Sequence, residues 1–208
     1  MRVVLATANR GKQRELSVLL APLGLTLDLA ADLGIASPEE TGTTFEANAL
    51  LKARHASRLA ALPALADDSG LAVDALGGRP GVHSARYAGA RCDDAANNAR
   101  LLADLADCPA SRRSAHYCCV LALVRDADDP SPLLARGSWE GHIAFERAGD
   151  GGFGYDPLFI PQGYAQTVAE LPVLLKQQHS HRARAASQLV ALLRAGALAG
   201  LLPGVNPR

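Results

Sequence analysis

The chain has 208 residues, with 21 Lys plus Arg balanced by 21 Asp plus Glu. A hydrophobic fraction of 49% supplies a sizeable core, and 20% charge is ordinary for a globular protein. Zero net charge argues against a protein whose main task is to coat a nucleic acid polymer, where a basic balance supplies most of the affinity.

The start, Met1 to Thr7, has neither the long apolar stretch nor the small-residue cleavage site of a signal peptide. No apolar run reaches the length that spans a bilayer, so a cytoplasmic protein without membrane contact is expected. Cys92, Cys108, Cys118 and Cys119 form no C-x-x-C pair and read as buried reduced thiols. The only lysines are Lys12, Lys52 and Lys176, in a chain that otherwise uses Arg. So few lysines invite a specific role for each.

In chain order, Val3–Ala6 reads as a strand that turns through Thr7–Gly11 into a helix near Lys12–Leu20, which Gly24 can end. A second strand, about Leu25–Ala30, leads to a loop holding Glu39 and Glu40. Thr43-Thr44-Phe45-Glu46 has capping-box spacing for a helix to about Leu62, closed by Pro63. Ala64–Asp67 and Leu71–Val73 read as short strands around Asp68-Ser69-Gly70. Asp93 or Asp94 can cap a helix through Leu105. Ser114–Arg125 is strand-like, and Pro132–Trp139 with His142–Arg147 continue it as a meander. A glycine-rich loop, Gly149–Tyr155, precedes a last helix from about Arg182 to Ala197. Alternating strands and helices followed by consecutive strands predict an α/β fold, a mixed sheet flanked by helices.

Several segments carry candidate chemistry. Thr7-Ala8-Asn9-Arg10-Gly11-Lys12 lies where a strand meets a helix, and helix N-termini favour anions; it is a phosphate loop or an ordinary helix start, and not a Walker A loop. Glu39-Glu40 and Asp67-Asp68 offer the hard oxygen ligands that suit Mg²⁺. Taken alone, Glu39-Glu40 reads rather as a solvated acidic turn. Asp67-Asp68 leaves an apolar strand, where adjacent like charges need a cation to offset them. Lys52 shares a helix face with Asn48 and reads as an exposed lysine or, given how few lysines the chain has, as one with a specific role. Gly151 to Pro157 can lay Phe153 or Tyr155 over a base, or form a plain tight turn. His179, His181 and Arg182 are donors toward a ligand or a helix cap.

In this order the segments resemble the inosine/xanthosine triphosphate pyrophosphatase family. The matching stretches are Leu5–Asn9 with Lys12 and Glu15, Glu40-Thr41-Gly42 with Thr44-Phe45, and Asn48-Ala49 with Lys52-Ala53. Ala66–Leu71, Gly77 through Pro80 to Tyr87, Gly151–Pro157 and Ser180-His181-Arg182 complete the set. The resemblance implies one elongated α/β domain over residues 1–208, with two lobes, an active-site cleft between them, and a homodimer. It implies that Thr7, Ala8, Asn9, Arg10, Gly11, Lys12 and Lys52 hold a triphosphate and that Glu40 and Asp68 hold Mg²⁺. Asp68 is then the proton acceptor, supported by Asp67, and Ser69 contacts substrate. Phe153, Gly154, Tyr155, Asp156, Lys176, His181 and Arg182 surround the base. Two departures stand out: Ala47 occupies the place where the family commonly has Glu, with Glu46 one position early, and the stretch before Lys176 is apolar.

The implied reaction cleaves ITP, dITP or XTP between the α- and β-phosphates, giving the monophosphate and pyrophosphate. Hypoxanthine and xanthine present a 6-oxo acceptor where adenine presents an amino donor, so a pocket of donors discriminates between them. Two readings compete: a pyrophosphatase for modified pyrimidine or methylated nucleotides, and a sensor that binds nucleotide without cleaving it. Pyrophosphate release across a panel of triphosphates separates the three.

Overall fold

The computed structural model describes residues 2–90 and 93–196; Cys92 and the helix end expected at Ala197 lie outside them. Strand β1, Arg2–Ala6, runs into Asn9, whose carboxamide accepts the Gly11 and Lys12 N–H groups at 2.8 and 3.0 Å and caps helix α1, Arg10–Leu20. Strand β2 is Thr26–Leu29. Helix α2, Phe45–Ala60, is capped by Thr44, whose hydroxyl accepts from the Ala47 N–H at 3.1 Å. With the cap at Thr44 rather than Thr43, Glu46 falls one place short of capping-box register and bonds Arg136 instead, at 2.8 Å.

Strand β3, Ala64–Val73, corrects the expectation of two short strands: it is continuous, with Asp67 to Gly70 inside it. Helix α3, Asp94–Asp104, starts at Asp93, which accepts from Ala95 and Ala96. Strand β4 is Ser114–Val124. Strand β5, Leu133–Ile143, is one strand rather than two. Gly141 does not turn the chain there; a Cβ on it would lie 2.3 Å from the Ile160 carbonyl oxygen, so glycine lets the next strand approach. That strand, β6, Phe159–Pro161, was not legible in the sequence, nor was helix α4, Val173–His179. Pro172 starts α4, leaving Val173 and Leu174 exposed while Lys176 is buried. Helix α5 is His181–Arg194.

The strands form a six-stranded sheet of order β2-β1-β3-β4-β5-β6. β1 is parallel to both β2 and β3, and β5 is antiparallel to β6, so the sheet is mixed. The chain divides into two compact units, one from residues 1–68, 119–137 and 182–208, the other from 69–118 and 138–181.

The first unit is apolar on both faces of its strands, and alternation assigns each side chain to a face. Val3, Leu5, Leu65, Cys119, Leu121 and Leu123 pack with leucines of α1 and with α5. Val4, Ala6, Ala64, Ala66, Val120 and Ala122 pack with Ala49, Ala53 and Ala56 of α2, where small side chains bring the helix close. The second unit has a core of Leu71, Val73, Leu101, Leu105, Tyr117, Trp139 and Phe159.

Candidate functional site

In the first unit, the same alternation separates the two adjacent carboxylates. Asp67 follows Leu65 to the α1 and α5 side, whereas Asp68 follows Ala66 to the α2 side. Each meets its own lysine. Lys12 Nζ lies 2.5 Å from Asp67 Oδ1, and Arg182 Nε donates to Asp67 Oδ2 at 2.7 Å. Arg182 Nη1 also bonds Glu15. The Cys119 thiol donates to Asp67 Oδ2 at 3.3 Å. Burial would push Asp67 upward, but the charges of Arg182 and Lys12 outweigh it and hold the carboxyl well below its ordinary range. Burial and then Asp67 push the Cys119 thiol well up, keeping it a protonated donor.

On the α2 side, Lys52 Nζ donates to Asp68 Oδ1 at 2.6 Å and to Glu40 Oε1 at 2.9 Å. Burial raises the Asp68 carboxyl above its ordinary value, and Lys52 offsets this only in part. For Lys52, burial opposes the charge, yet Asp68 and Glu40 raise the ammonium above its usual range. Asp68 Oδ2 is buried and accepts no hydrogen bond. Glu40 and Asp68 thus converge on one cation and leave a buried oxygen open. Among the described residues no group of three or more His, Cys, Asp or Glu gathers, and Mg²⁺ does not need one. It takes one or two carboxylates and completes its shell with water and substrate phosphates. The donor set fits that ion.

Asn48, one turn before Lys52, is fully buried, and its Oδ1 accepts the Gly42 N–H at 2.8 Å. It fixes the loop that carries Glu40. In the Thr7 to Lys12 segment, the Thr7 hydroxyl accepts the Asn9 N–H at 3.1 Å, and Asn9 itself serves as the helix cap.

The second unit gathers the aromatic set. Lys176 Nζ lies 2.6 Å from Asp156 Oδ2 and 4.1 Å from the centre of the Phe153 ring. Asp156 Oδ2 also accepts the Phe153 N–H at 2.9 Å, and Oδ1 accepts the Tyr117 hydroxyl at 3.4 Å. A Cβ on Gly152, at φ +75°, would stand 2.0 Å from Asp156 Oδ2, so glycine is required for this carboxylate to fold back on its loop. The His181 ring stacks on Tyr117 at 4.6 Å with 10° between planes. Tyr155 is buried, its hydroxyl on the Ser84 carbonyl at 2.8 Å.

The structure therefore brings together Lys12, Asp67 and Arg182; Glu40, Lys52 and Asp68; and Phe153, Asp156, Lys176 and His181. Arg182 joins the carboxylates rather than the aromatic set, although it follows His181 in the chain. Thr7 and Ser69 are half-buried, and Ala8, Asn9 and Arg10 are exposed. Glu15 and Tyr117 were given no role in the sequence. Glu15 sits three residues after Lys12 and so on its face of α1, a signal that was available; nothing local marks Tyr117. Of the thiols, Cys119 is buried, while Cys108 and Cys118 are only half-buried.

Adjacent carboxylates inside β3 that meet basic side chains of three helices, and in the other unit an aromatic ring beside a lysine and a carboxylate, are the side-chain types suited to phosphate and to ring-bearing ligands. A model of the Ham1 family matches residues 3–192, and the chain belongs to that family. A dITP/XTP pyrophosphatase of Ralstonia nicotianae is 56% identical over 93% of this chain and 96% of the relative. That of Escherichia coli K12 is 52% identical over 94% of this chain and 99% of the relative. The structure of a HAM1 protein from Coxiella burnetii superposes with a TM-score of 0.86 at 44% identity, covering 93% of this chain and 98% of that one. The Ham1 protein of Staphylococcus aureus gives 0.82 at 36% identity, covering 94% and 99%.

Proposed function

We propose that the chain hydrolyses dITP, ITP and XTP to the nucleoside monophosphate and pyrophosphate, clearing deaminated purines from the nucleotide pool. The observation that carries this reading is the convergence of Glu40 and Asp68 on Lys52 with Asp68 Oδ2 left open. The names of the Ralstonia and Escherichia relatives support the substrate class.

On this reading Glu40 and Asp68 hold Mg²⁺, which when bound supplies Lewis-acid polarisation of the phosphates and of a water. Asp68 takes the proton of the attacking water, a role suited to a carboxyl that burial raises above its ordinary value. Lys12 and Lys52, with the Thr7 to Gly11 segment, exchange their internal carboxylates for phosphate oxygens and neutralise charge on the leaving pyrophosphate. Arg182, which also bonds Glu15, holds Asp67 in place beside Lys12 and keeps its charge compensated when Lys12 turns to phosphate. Ser69 contacts the substrate. Phe153 stacks on the base, and Gly154, Tyr155, Asp156, Lys176 and His181 shape its pocket. Donors facing the 6-oxo group accept hypoxanthine and xanthine and are left unsatisfied by adenine. A cytoplasmic homodimer completes the reading; no helix among the described residues is long and apolar enough to cross a membrane.

The deciding experiment is pyrophosphate release with Mg²⁺ across ITP, dITP, XTP, the four common triphosphates and methylated or modified pyrimidine triphosphates. Preference for the first three is expected. Comparable turnover of ATP and ITP overturns the proposal, and tight binding without product makes the protein a sensor.

A further inference from the structure

Helix α3 carries none of the residues placed in the site above, yet its first two turns hold the loop that carries Phe153. Gly154 is gripped at both polar groups. Its N–H donates to Asp94 Oδ2 at 2.7 Å, and its carbonyl accepts from Asn98 Nδ2 at 2.8 Å. Asp94 and Asn98 are four residues apart and share a helix face. Asn98 Nδ2 also donates to the Asp94 carbonyl at 2.6 Å, which fixes its rotamer. Next to it, Asn97 Oδ1 accepts the Ala88 N–H at 2.7 Å and Asn97 Nδ2 donates to the Ala85 carbonyl at 2.9 Å. This holds the turn whose Ser84 carbonyl receives the Tyr155 hydroxyl. Both Asn97 and Asn98 are buried. Two carboxamides taken from water on adjacent positions are unfavourable unless their bonds compensate, and here the bonds go to Gly154, in the loop that carries Phe153, and to the turn at Ala85 and Ala88.

A peptide unit held at its N–H and its neighbour held at the carbonyl cannot rotate without losing both bonds, so the direction in which Phe153 leaves the chain is preset. We propose that Asp94 and Asn98 are positioning residues for base selection, clamping Gly154 so that Phe153 presents its ring in one orientation to the purine. The inference rests on the reading of Phe153 to Asp156 as the base-contacting segment.

The test measures kcat and KM for ITP and for ATP on the full chain carrying Asp94→Ala, Asp94→Asn, Asn98→Ala or Phe153→Ala. Misplacing a binding group by an ångström can lower rate about 10²-fold, and a partial loss of aim is expected here. Asp94→Ala and Asn98→Ala should each raise KM for ITP about tenfold and lower the ITP-over-ATP preference by a similar factor, with kcat changed less than about threefold. Asp94→Asn keeps an acceptor oxygen for the Gly154 N–H and should retain most of the preference. Asp94 is exposed, so its variants keep the fold and decide the matter even if Asn98→Ala does not. Equal loss on ITP and ATP, or equal loss in Asp94→Ala and Asp94→Asn, overturns the inference. Loss of preference in Phe153→Ala with none in Asp94→Ala overturns it alone. Unchanged preference in Phe153→Ala overturns the base-loop reading beneath it.

Discussion

Asp67→Asn removes one negative charge and almost no volume, so its effect reports what that charge holds. Asp67 is 1% exposed and bonds Lys12 at 2.5 Å and Arg182 at 2.7 Å. At an effective dielectric constant of about 20, unit charges at such separations attract by roughly 6 kcal/mol each before desolvation is counted. Arg182 retains Glu15, and the Lys12 side chain remains 15% exposed, so neither cation is wholly stranded. The net loss expected is about 3–5 kcal/mol, as when one member of a buried ion pair is deleted. For a chain of this size that lowers the unfolding midpoint by roughly 6–20 °C. Circular dichroism during thermal and urea unfolding measures it at pH 7 and at steps down to pH 3. Because the folded Asp67 carboxyl titrates well below its unfolded value of about 3.9, its contribution is complete above that value and is lost as pH falls through the folded pKa. The gap between parent and variant should therefore be full at pH 7 and narrow in acid. A midpoint within about 2 °C of the parent at pH 7 would refute the view that Asp67 holds these cations against solvent.

Asp68→Asn should act oppositely. It replaces a carboxyl that burial already disfavours as a charge, so unfolding shifts by only a few degrees while pyrophosphate release falls by at least about 10²-fold; near-parent turnover removes Asp68 from the chemistry. Asn48→Ala frees the loop beside Glu40 and should raise the Mg²⁺ concentration for half-maximal activity roughly tenfold, with Asn48→Asp restoring it because an acceptor for Gly42 returns; an unchanged Mg²⁺ titration counts against the role. Asp129, fully buried, accepts from the Arg125 N–H and guanidinium and from the Ser131 N–H between β4 and β5. Asp129→Ala should cost about 2–4 kcal/mol in urea unfolding with kcat unchanged, and a loss confined to activity would contradict the structural role.

What the sequence disclosed followed from local rules. Asp93 and the apolar runs Val3 to Ala6 and Ala64 to Ala66 act within a few residues and were readable from spacing alone. The capping-box spacing, in contrast, pointed to Thr43 where Thr44 is the cap, and Gly24 ends the 3-10 turn Ala21–Leu23 rather than α1 itself. The continuous β3 was not, because charged Asp67 and Asp68 look like a strand end until their counter-ions are known, and Lys12, Lys52 and Arg182 come from three separate helices. Strand β6 has three residues, and its existence depends on Gly141 across the ladder rather than on its own pattern. Helix α4 begins in an apolar run whose amphipathic sense appears only once Lys176 is seen turned inward onto Asp156 and Phe153.

Strand alternation also explains which of two adjacent carboxylates receives the metal in the proposed mechanism. On one face Asp67 and Glu15 meet Lys12 and Arg182, so those four side chains sum to zero charge and need nothing further. On the other, Asp68 and Glu40 both contact Lys52, three side chains that sum to one net negative charge, and Asp68 Oδ2 is buried without a hydrogen bond. A divalent cation gains more at the second site, where it meets uncompensated charge, than at the first, where it would have to displace cations already in contact. The balance of 21 cations against 21 anions over the chain conceals this difference, which exists only because neighbouring residues of a strand face opposite ways.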